Sequence, residues 1–460
     1  MKTTKIIFSI LVMSFVSSLT FAASHYVRPG LTYNGDGTTW AAASSAGGAG
    51  AYNALPADLI RGDTYYLADG NYGTYRFNDA ASGSTYIYIK KATAGAHGTA
   101  TGWNNSYGDG QAIFAAGAGQ NAIIITTNYW DIDGVTGYND GSVQQHGIKL
   151  TMQPDSARAT ILMSNTSYVN LRHLDIGNAG LDLDRDGNCI YANNSSGGGV
   201  SQNIHYCYLH DSTTSLIVSR RRTNSILEYC YLARNSSSSS RHAEGWSDGG
   251  STNIICRYNQ FFDIEGSAYI SFPVDAVSNW EIYGNVFAYT AQNSSGRGGV
   301  SWVIGADSSG YITGFKVYNN SFVRVRSYNS ALRTEPGSSN NYAYNNLWVG
   351  CVDRDGSGST AYVLNSSYVT HDYNAFSDDV SVSEAHLQEN VPTSIFTNYA
   401  GDDLTLARAT DRGMTLPSPY NTDMLGSTRG SDQNWDRGAY EFPVATQGEI
   451  RPPTNLRVLQ

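Results

Sequence analysis

The segment Asn253–Phe261, NIICRYNQF, superimposes without a gap on Asn279–Phe287, NWEIYGNVF. Cys256 falls on Ile282, Asn259 on Asn285 and Phe261 on Phe287, an offset of 26 residues. Self-similarity at such a period in a strand-rich sequence points to a solenoid. With the Asn as position zero, the equivalent positions are Arg172, Cys207, Cys230, Asn259, Asn285, Asn320, Asn346 and Asn374, spaced 23 to 35 residues apart. Two places on, the column reads Leu174, Leu209, Leu232, Phe261, Phe287, Phe322, Trp348 and Phe376, apolar throughout. Three places earlier it reads Val169, Ile204, Leu227, Cys256, Ile282, Val317, Ala343 and His371, with only the last row polar.

Each repeat is a short strand rich in β-branched and aromatic residues and bounded by Asn, Ser and Gly. One such strand cannot bury its apolar face alone. Stacked in register, the strands bury continuous columns of like side chains, and an Asn at each strand end can bond the coils above and below. Variable spacing places loops of different length at the corners. No helical apolar period runs between the strands, which excludes leucine-rich and helical repeats. A β-propeller needs several strands and hairpin turns per blade. The expectation is therefore an all-β chain folded as a right-handed parallel β-helix with an N-terminal cap.

Among 460 residues the chain has 48 Gly and 33 Tyr, only 15% charged residues, and a net charge of −10. That balance excludes nucleic-acid binding by a global basic field. MKTTKIIFSILVMSFVSSLTFA reads as a signal peptide: Lys2 and Lys5, an apolar core Ile6–Leu19 and a small-x-small site ending at Ala22. The mature chain, from Ala23, is expected to be secreted, soluble, monomeric and without a membrane span. Of Cys189, Cys207, Cys230, Cys256 and Cys351, at least one must be unpaired. Cys207 and Cys230 share a column, and in-register parallel neighbours suit a disulfide poorly, so small buried thiols are expected.

The chain divides into a signal peptide (1–22), a cap and first strand (23–72), the β-helix (73–442) and a Pro-bearing tail or linker (443–460). AYNALPADL (51–59) is expected to form a short capping helix, and NWDRGAYEF (434–442) a closing strand. From about residue 50 to 442 the cap, rows and closing segment resemble the pectate-lyase-like superfamily. Its members include polysaccharide lyases, hydrolases, esterases, epimerases, tailspikes and adhesins, so the resemblance implies the fold and leaves function to the site.

A second alternation follows each loop: SLIVSR (215–220), RHAEGW (241–246), SAYISF (267–272), GVSWVIG (299–305) and NSALRTE (329–335). Its outward residues should line one long face, where the resemblance implies a substrate groove. Arg220, Arg221 and Arg222 fall beside His242, Glu244, Trp246 and Asp248, with Tyr269, Trp302, Arg333 and Glu335 on later coils. Such groups suit β-elimination on a uronic-acid polysaccharide, which needs a cation for the carboxylate, a base for the C5 proton and an acid for the leaving oxygen. His242 is the expected base, Tyr269 the acid and Arg220 the carboxylate clamp, with Glu244 in the same constellation and Arg221, Arg222, Trp246, Asp248, Trp302, Arg333 and Glu335 binding substrate. Several β-helix lyases use a Lys base within the central coils, yet no Lys lies between Lys149 and Lys316. The paired aspartates and Gly-His-Gly of polygalacturonases are also missing. A hydrolase using Glu244 and Asp248, or a non-catalytic glycan-binding or adhesive solenoid, are the other readings. Asp182, Asp184 and Asp186 before Gly187 space oxygens as a Ca²⁺ loop does, without the Glu of an EF-hand. Asp211, Arg234, Asp263 and Arg324, four places after position zero, are read as charges that stabilise the turns.

Overall fold

The computed structural model describes residues 22–137, 146–153, 159–178, 187–236, 243–293, 299–306, 310–356, 358, 360–362 and 364–443. A complete coil contributes one strand to each of three parallel sheets; in one coil these are Thr252–Arg257, Gln260–Glu265 and Ala268–Val274. Among the described residues the first, second and third sheets have 13, 11 and 9 strands. This is a right-handed parallel β-helix.

The core is three inward columns. Leu171, Ile204, Leu227, Cys256, Ile282, Val317 and Ala343 are paired in register in the first sheet. Ile161, Ile190, Ile217, Trp246, Ile270, Ile304 and Leu332 are paired in the third. In the second, Phe261, Phe287, Phe322, Trp348 and Phe376 stack ring on ring at 4.7–5.1 Å. The repeat holds as read, with one slip: Leu171 pairs Ile204 and Ile176 pairs Leu209, so Leu174, not Arg172, occupies position zero of its row. All five cysteines are free and buried.

Between the first and second sheets the chain turns through a left-handed residue. Tyr206, Tyr229 and Tyr258 take this conformation at φ of 51–55°. Bulky residues adopt it only at a cost of about 1–2 kcal/mol. Here their rings stack on one another and on His173 at 5.0–5.2 Å, which offsets that cost. Gly284 ends the stack, because a Cβ there would stand 2.7 Å from the Tyr258 ring.

The coils begin and end earlier than expected. Ser24–Val27 already pairs Thr64–Leu67. Residues 51–59 form no helix: Tyr52 spends its backbone on the free edge of Ser24–Val27, and Leu55 and Leu59 turn into the core. The cap is a loop around the buried Trp40. The last parallel strand is Ala375–Phe376, and 434–442 is no strand. Instead, residues 377–442 run back along the outside of the solenoid as an extension carrying one antiparallel pair, Phe396–Asn398 with Asp403–Leu406. Residues 1–21 of the segment expected to be a signal peptide, and residues 444–460 of the tail, lie outside the described residues.

What the extension covers is set by the outward face of the second sheet. One outward column reads Lys149, Asp175, Tyr208, Tyr231, Gln260, Val286, Ser321, Leu347 and Ala375. Its neighbour reads Thr151, Gly177, His210, Ala233, Phe262, Ala288, Val323 and Val349. From Tyr231 onward the face is largely apolar, and Ile395, Phe396, Leu404 and Leu406 pack on it. Arg324 pairs with Asp402 to fasten the extension, and the Tyr258 hydroxyl meets Thr422 at 3.0 Å.

Phe287 is fully buried between Phe261 and Phe322, so Phe287→Ala should lower unfolding free energy by about 3–5 kcal/mol in a denaturant titration. In the extension, burial pushes the Glu441 carboxyl up to about 7, with Arg429 Nη1 3.5 Å away. A raised carboxyl stabilises the fold fully below its ordinary value of 4.5 and loses that contribution as pH rises through about 7. The unfolding free energy from urea titrations should therefore fall between pH 5 and 8 by on the order of 2 kcal/mol, and Glu441→Gln should flatten that fall.

Candidate functional site

The third sheet does not assemble the expected constellation. Arg220 points outward and donates Nη1–H to the Ser219 carbonyl at 2.9 Å. Arg221 sits exposed at a corner in the left-handed conformation, 3.9 Å from Asp275. Arg222 turns inside, stacks over Trp246 and donates to the Gln202 carbonyl. Trp246 and Tyr269 are core residues: the Trp246 Nε1–H donates to Ser219 Oγ at 2.8 Å, and the Tyr269 hydroxyl to the Ala288 carbonyl at 3.0 Å. Tyr269 therefore cannot face a substrate as the acid. Trp302, Arg333 and Glu335 do come together at the far end of the sheet, the guanidinium 4.3 Å over the indole and 2.7 Å from the carboxylate. Trp302 lies three strands and Arg333 four strands from Arg220, roughly 14 and 19 Å along the axis.

The carboxylates expected for a hydrolase are buried. Glu244 accepts from Ser215 Oγ at 2.6 Å, while Asp248 accepts from the hydroxyls of Ser219 and Ser251. The expected face had the wrong phase: Trp246 and Asp248 pair Ile217 and Ser219 in regular register, so with Arg220 outward ordinary alternation puts both of them inside. His242 and the Asp182, Asp184 and Asp186 loop lie outside the described residues. Among the described residues no three His, Cys, Asp or Glu side chains gather as a metal site, and no helix is long and apolar enough to cross a membrane.

A denser cluster stands on the polar stretch of the second sheet. His210 places Nε2 2.7 Å from Asp175 Oδ1 and Nδ1 2.6 Å from Asp211 Oδ2. Asp211, left-handed at φ 54°, receives Arg234 bidentately through Nε at 2.8 Å and Nη2 at 2.9 Å. The same Nη2 donates to the Tyr208 hydroxyl at 2.5 Å, and Tyr208 stacks on His210 at 4.1 Å. Lys149 Nζ lies 3.7 Å from Asp175 Oδ2. Lys149 and Arg234 keep 37% and 39% of their side chains exposed, whereas Asp175 is buried beneath them. Gly177 makes the room, since a Cβ there would stand 2.7 Å from His210 Cε1.

Burial alone would lower the His210 pKa, but the hydrogen bonds to Asp175 and Asp211 outweigh it and raise the group above its ordinary value. Burial would raise Asp211, yet the bonds from His210 and Arg234 hold its carboxyl far below the usual range. Burial pushes the Tyr208 hydroxyl up to about 12, against the charge of Arg234. The result is two exposed cations on strands three spacings apart, Lys149 beside the buried Asp175 and Arg234 held by the half-buried Asp211: a surface able to bind carboxylates along the solenoid axis.

No known family model matches the chain, and no curated protein matches it. Among solved structures it is similar to pectate lyase Pel9A, at 14% identity and TM-score 0.56, over 92% of this chain and 97% of that one. It is also matched to an alginate lyase from Paenibacillus sp. str. FPU-7 (13% identity, TM-score 0.42, 72% of this chain and 93% of that one). A third match is PfbA, a surface adhesin of Streptococcus pneumoniae (12% identity, TM-score 0.37, 72% and 78%). The fold is thus a parallel β-helix of the pectate-lyase type.

Asp211 and Arg234 were visible in the sequence as a charge ladder, and they do pair. Lys149, Asp175, Tyr208 and His210 were missed because they come from three coils. The signal was there: extending the columns one and three places beyond position zero exposes the change from polar to apolar. Gly177→Ala should push the His210 ring away from Asp175 and cost about 1–3 kcal/mol. The check is a thermal melt together with the His210 ring resonances, which should shift while those of His25 stay put.

Proposed function

We propose that the chain is a secreted polysaccharide-acting enzyme, a lyase that cleaves a uronic-acid-containing polymer by β-elimination. The observation that carries this reading is the pair of exposed cations, Lys149 and Arg234, anchored by Asp175 and Asp211 on the polar stretch of the second sheet. The shared fold with pectate lyase Pel9A supports it. Arg234 would pair with the uronate carboxylate through Nη1, the donor that Asp211 and Tyr208 leave over, and so acidify the C5 proton. Lys149, as the amine, would take that proton. The C4–O4 bond then breaks, its electrons leave with O4 as the C4=C5 double bond forms, and the new ammonium returns the proton to O4. His242 is the alternative base. A Ca²⁺ ion held by Asp182, Asp184 and Asp186 belongs to the proposal on the strength of their oxygen spacing.

One observation favours a second reading, a glycan-binding solenoid without turnover. Both His210 nitrogens are engaged, the Tyr208 hydroxyl is raised to about 12, and Lys149 stands beside a carboxylate. With both its nitrogens on carboxylates, His210 has no lone pair to offer a substrate, and Tyr208 already accepts from Arg234.

Residues 23–460 mixed with pectate, alginate, hyaluronan, chondroitin or a heparin-like polymer, with Ca²⁺ or with chelator, decide between them. A lyase gives rising ultraviolet absorbance from the unsaturated uronate with at least one polymer, and loss on chelation supports the Ca²⁺ loop. Lys149→Ala and Arg234→Ala should each slow the reaction about 10²–10³-fold. If His242→Ala abolishes turnover and Lys149→Ala does not, the base is His242. Polymer binding with a flat trace for every substrate would establish the second reading.

A further inference from the structure

Resting on the reading of this face as the polymer site, we propose that His210 is a positioning residue. Its imidazolium, clamped between Asp175 and Asp211, fixes the two exposed cations and gives polymer binding an alkaline limit.

The geometry dictates the charge state. An ionised carboxylate only accepts hydrogen bonds, so a ring with both nitrogens 2.6–2.7 Å from carboxylate oxygens must carry a proton on each. The ring cannot easily turn away. Tyr208 stacks on one side, the bare backbone of Gly177 lies close against Cε1, and Cys189 Sγ–H donates to the His210 carbonyl at 3.4 Å. The charged and titratable groups around it come from every neighbouring element. Tyr208 and Asp211 share its strand; Asp175 and Arg234 stand on the adjoining strands of the sheet and Lys149 one strand beyond Asp175; His146 precedes the strand of Lys149; Cys189 belongs to the third sheet. With His210 charged, Lys149, His210 and Arg234 against Asp175 and Asp211 leave one net positive charge.

Loss of the proton leaves a nitrogen lone pair facing a carboxylate oxygen at hydrogen-bond distance. One carboxylate must then swing away. If Asp211 moves, Arg234 loses its bidentate anchor; if Asp175 moves, Lys149 loses its partner. The net positive charge of the cluster is lost at the same step. The lock holds below the raised value of His210 and is lost as pH rises through it.

The test is nitrogen NMR on the full mature chain labelled at His and Arg, with His210→Gln for assignment. The expected result is a doubly protonated His210 ring at pH 7, and an Arg234 Nε signal that moves with the His210 midpoint. Affinity for oligogalacturonate and oligoalginate probes should weaken about tenfold across that midpoint, the loss of one charge-assisted contact. His210→Gln should bind weakly at every pH, with no midpoint; should it not fold, the wild-type titration carries the test alone. A neutral ring at pH 7, or an Arg234 signal indifferent to the titration, overturns the positioning role. If Arg234 follows His210 but neither probe binds at any pH, the positioning role stands and the uronate-polymer reading fails.

Discussion

Register in this solenoid depends on a row of amides at the turn between the first and second sheets. Asn259, Asn285, Asn320, Asn346 and Asn374 each donate backbone N–H and side-chain Nδ2–H toward the next coil. The first four meet the following Asn Oδ1 at 2.9–3.1 Å. All the amides point the same way, so the donor end of the row carries partial positive charge. It ends on Glu384, whose two oxygens accept Asn374 N–H at 2.9 Å and Nδ2–H at 2.7 Å, with His371 Nδ1 at 2.9 Å. A carboxylate thus closes the ladder where a sixth Asn would otherwise be wanted. At the other end Asn259 Oδ1 accepts from Cys230 N–H, and sulfur and then Leu174 take over the position. A one-residue slip would break every rung and turn each Phe of the second sheet outward.

That dependence explains what could be read from the sequence. In-register stacking repeats the same chemistry at the same place, so the Asn and Phe columns stand out despite loops of unequal length. A slip of two residues is another matter, because it keeps every side chain on its own face: Val169 and Leu171 are both apolar, as are Leu174 and Ile176. The row containing Arg172 was misplaced for that reason, which hid Asp175 from Tyr208. The left-handed tyrosines run against local propensity and are explained only by their stacked neighbours. Glu384 is ten residues beyond Asn374 in irregular chain, with no periodicity to reveal it.

The arginine triplet shows why a run of charge does not define a face. Arg220, Arg221 and Arg222 are adjacent in sequence, yet one points outward, one is exposed at the corner and one is inside. The corner residue, Arg221, turns in the left-handed region and changes the direction of the chain between the other two. The second sheet behaves more simply. Its outward columns are charged in the early coils and apolar in the later ones, and the extension covers only the latter. Covering Lys149, Asp175 and Arg234 with Leu and Phe would cost several kcal/mol per stranded ion, so the same residues that form the site keep the extension off it.

A comparison within the molecule separates a site from an ordinary surface ladder. On the outward face of the first sheet, Lys90, Asp133, Arg172, His205, Glu228 and Arg257 follow one another in register with mostly alternating charge. There Glu228 accepts from both His205 at 2.9 Å and Arg257 at 2.6 Å, so a carboxylate sits between two cations. His205 meets it through Nδ1 alone, so only one of its ring nitrogens is committed to a carboxylate. On the second sheet the order is inverted: a cation sits between two carboxylates, both its nitrogens are committed, and the two carboxylates each face a further cation that reaches solvent. The first arrangement neutralises charge where it lies. The second stores negative charge underneath and presents positive charge above, which is what a surface must do to hold an anionic chain without being pulled out of shape by it.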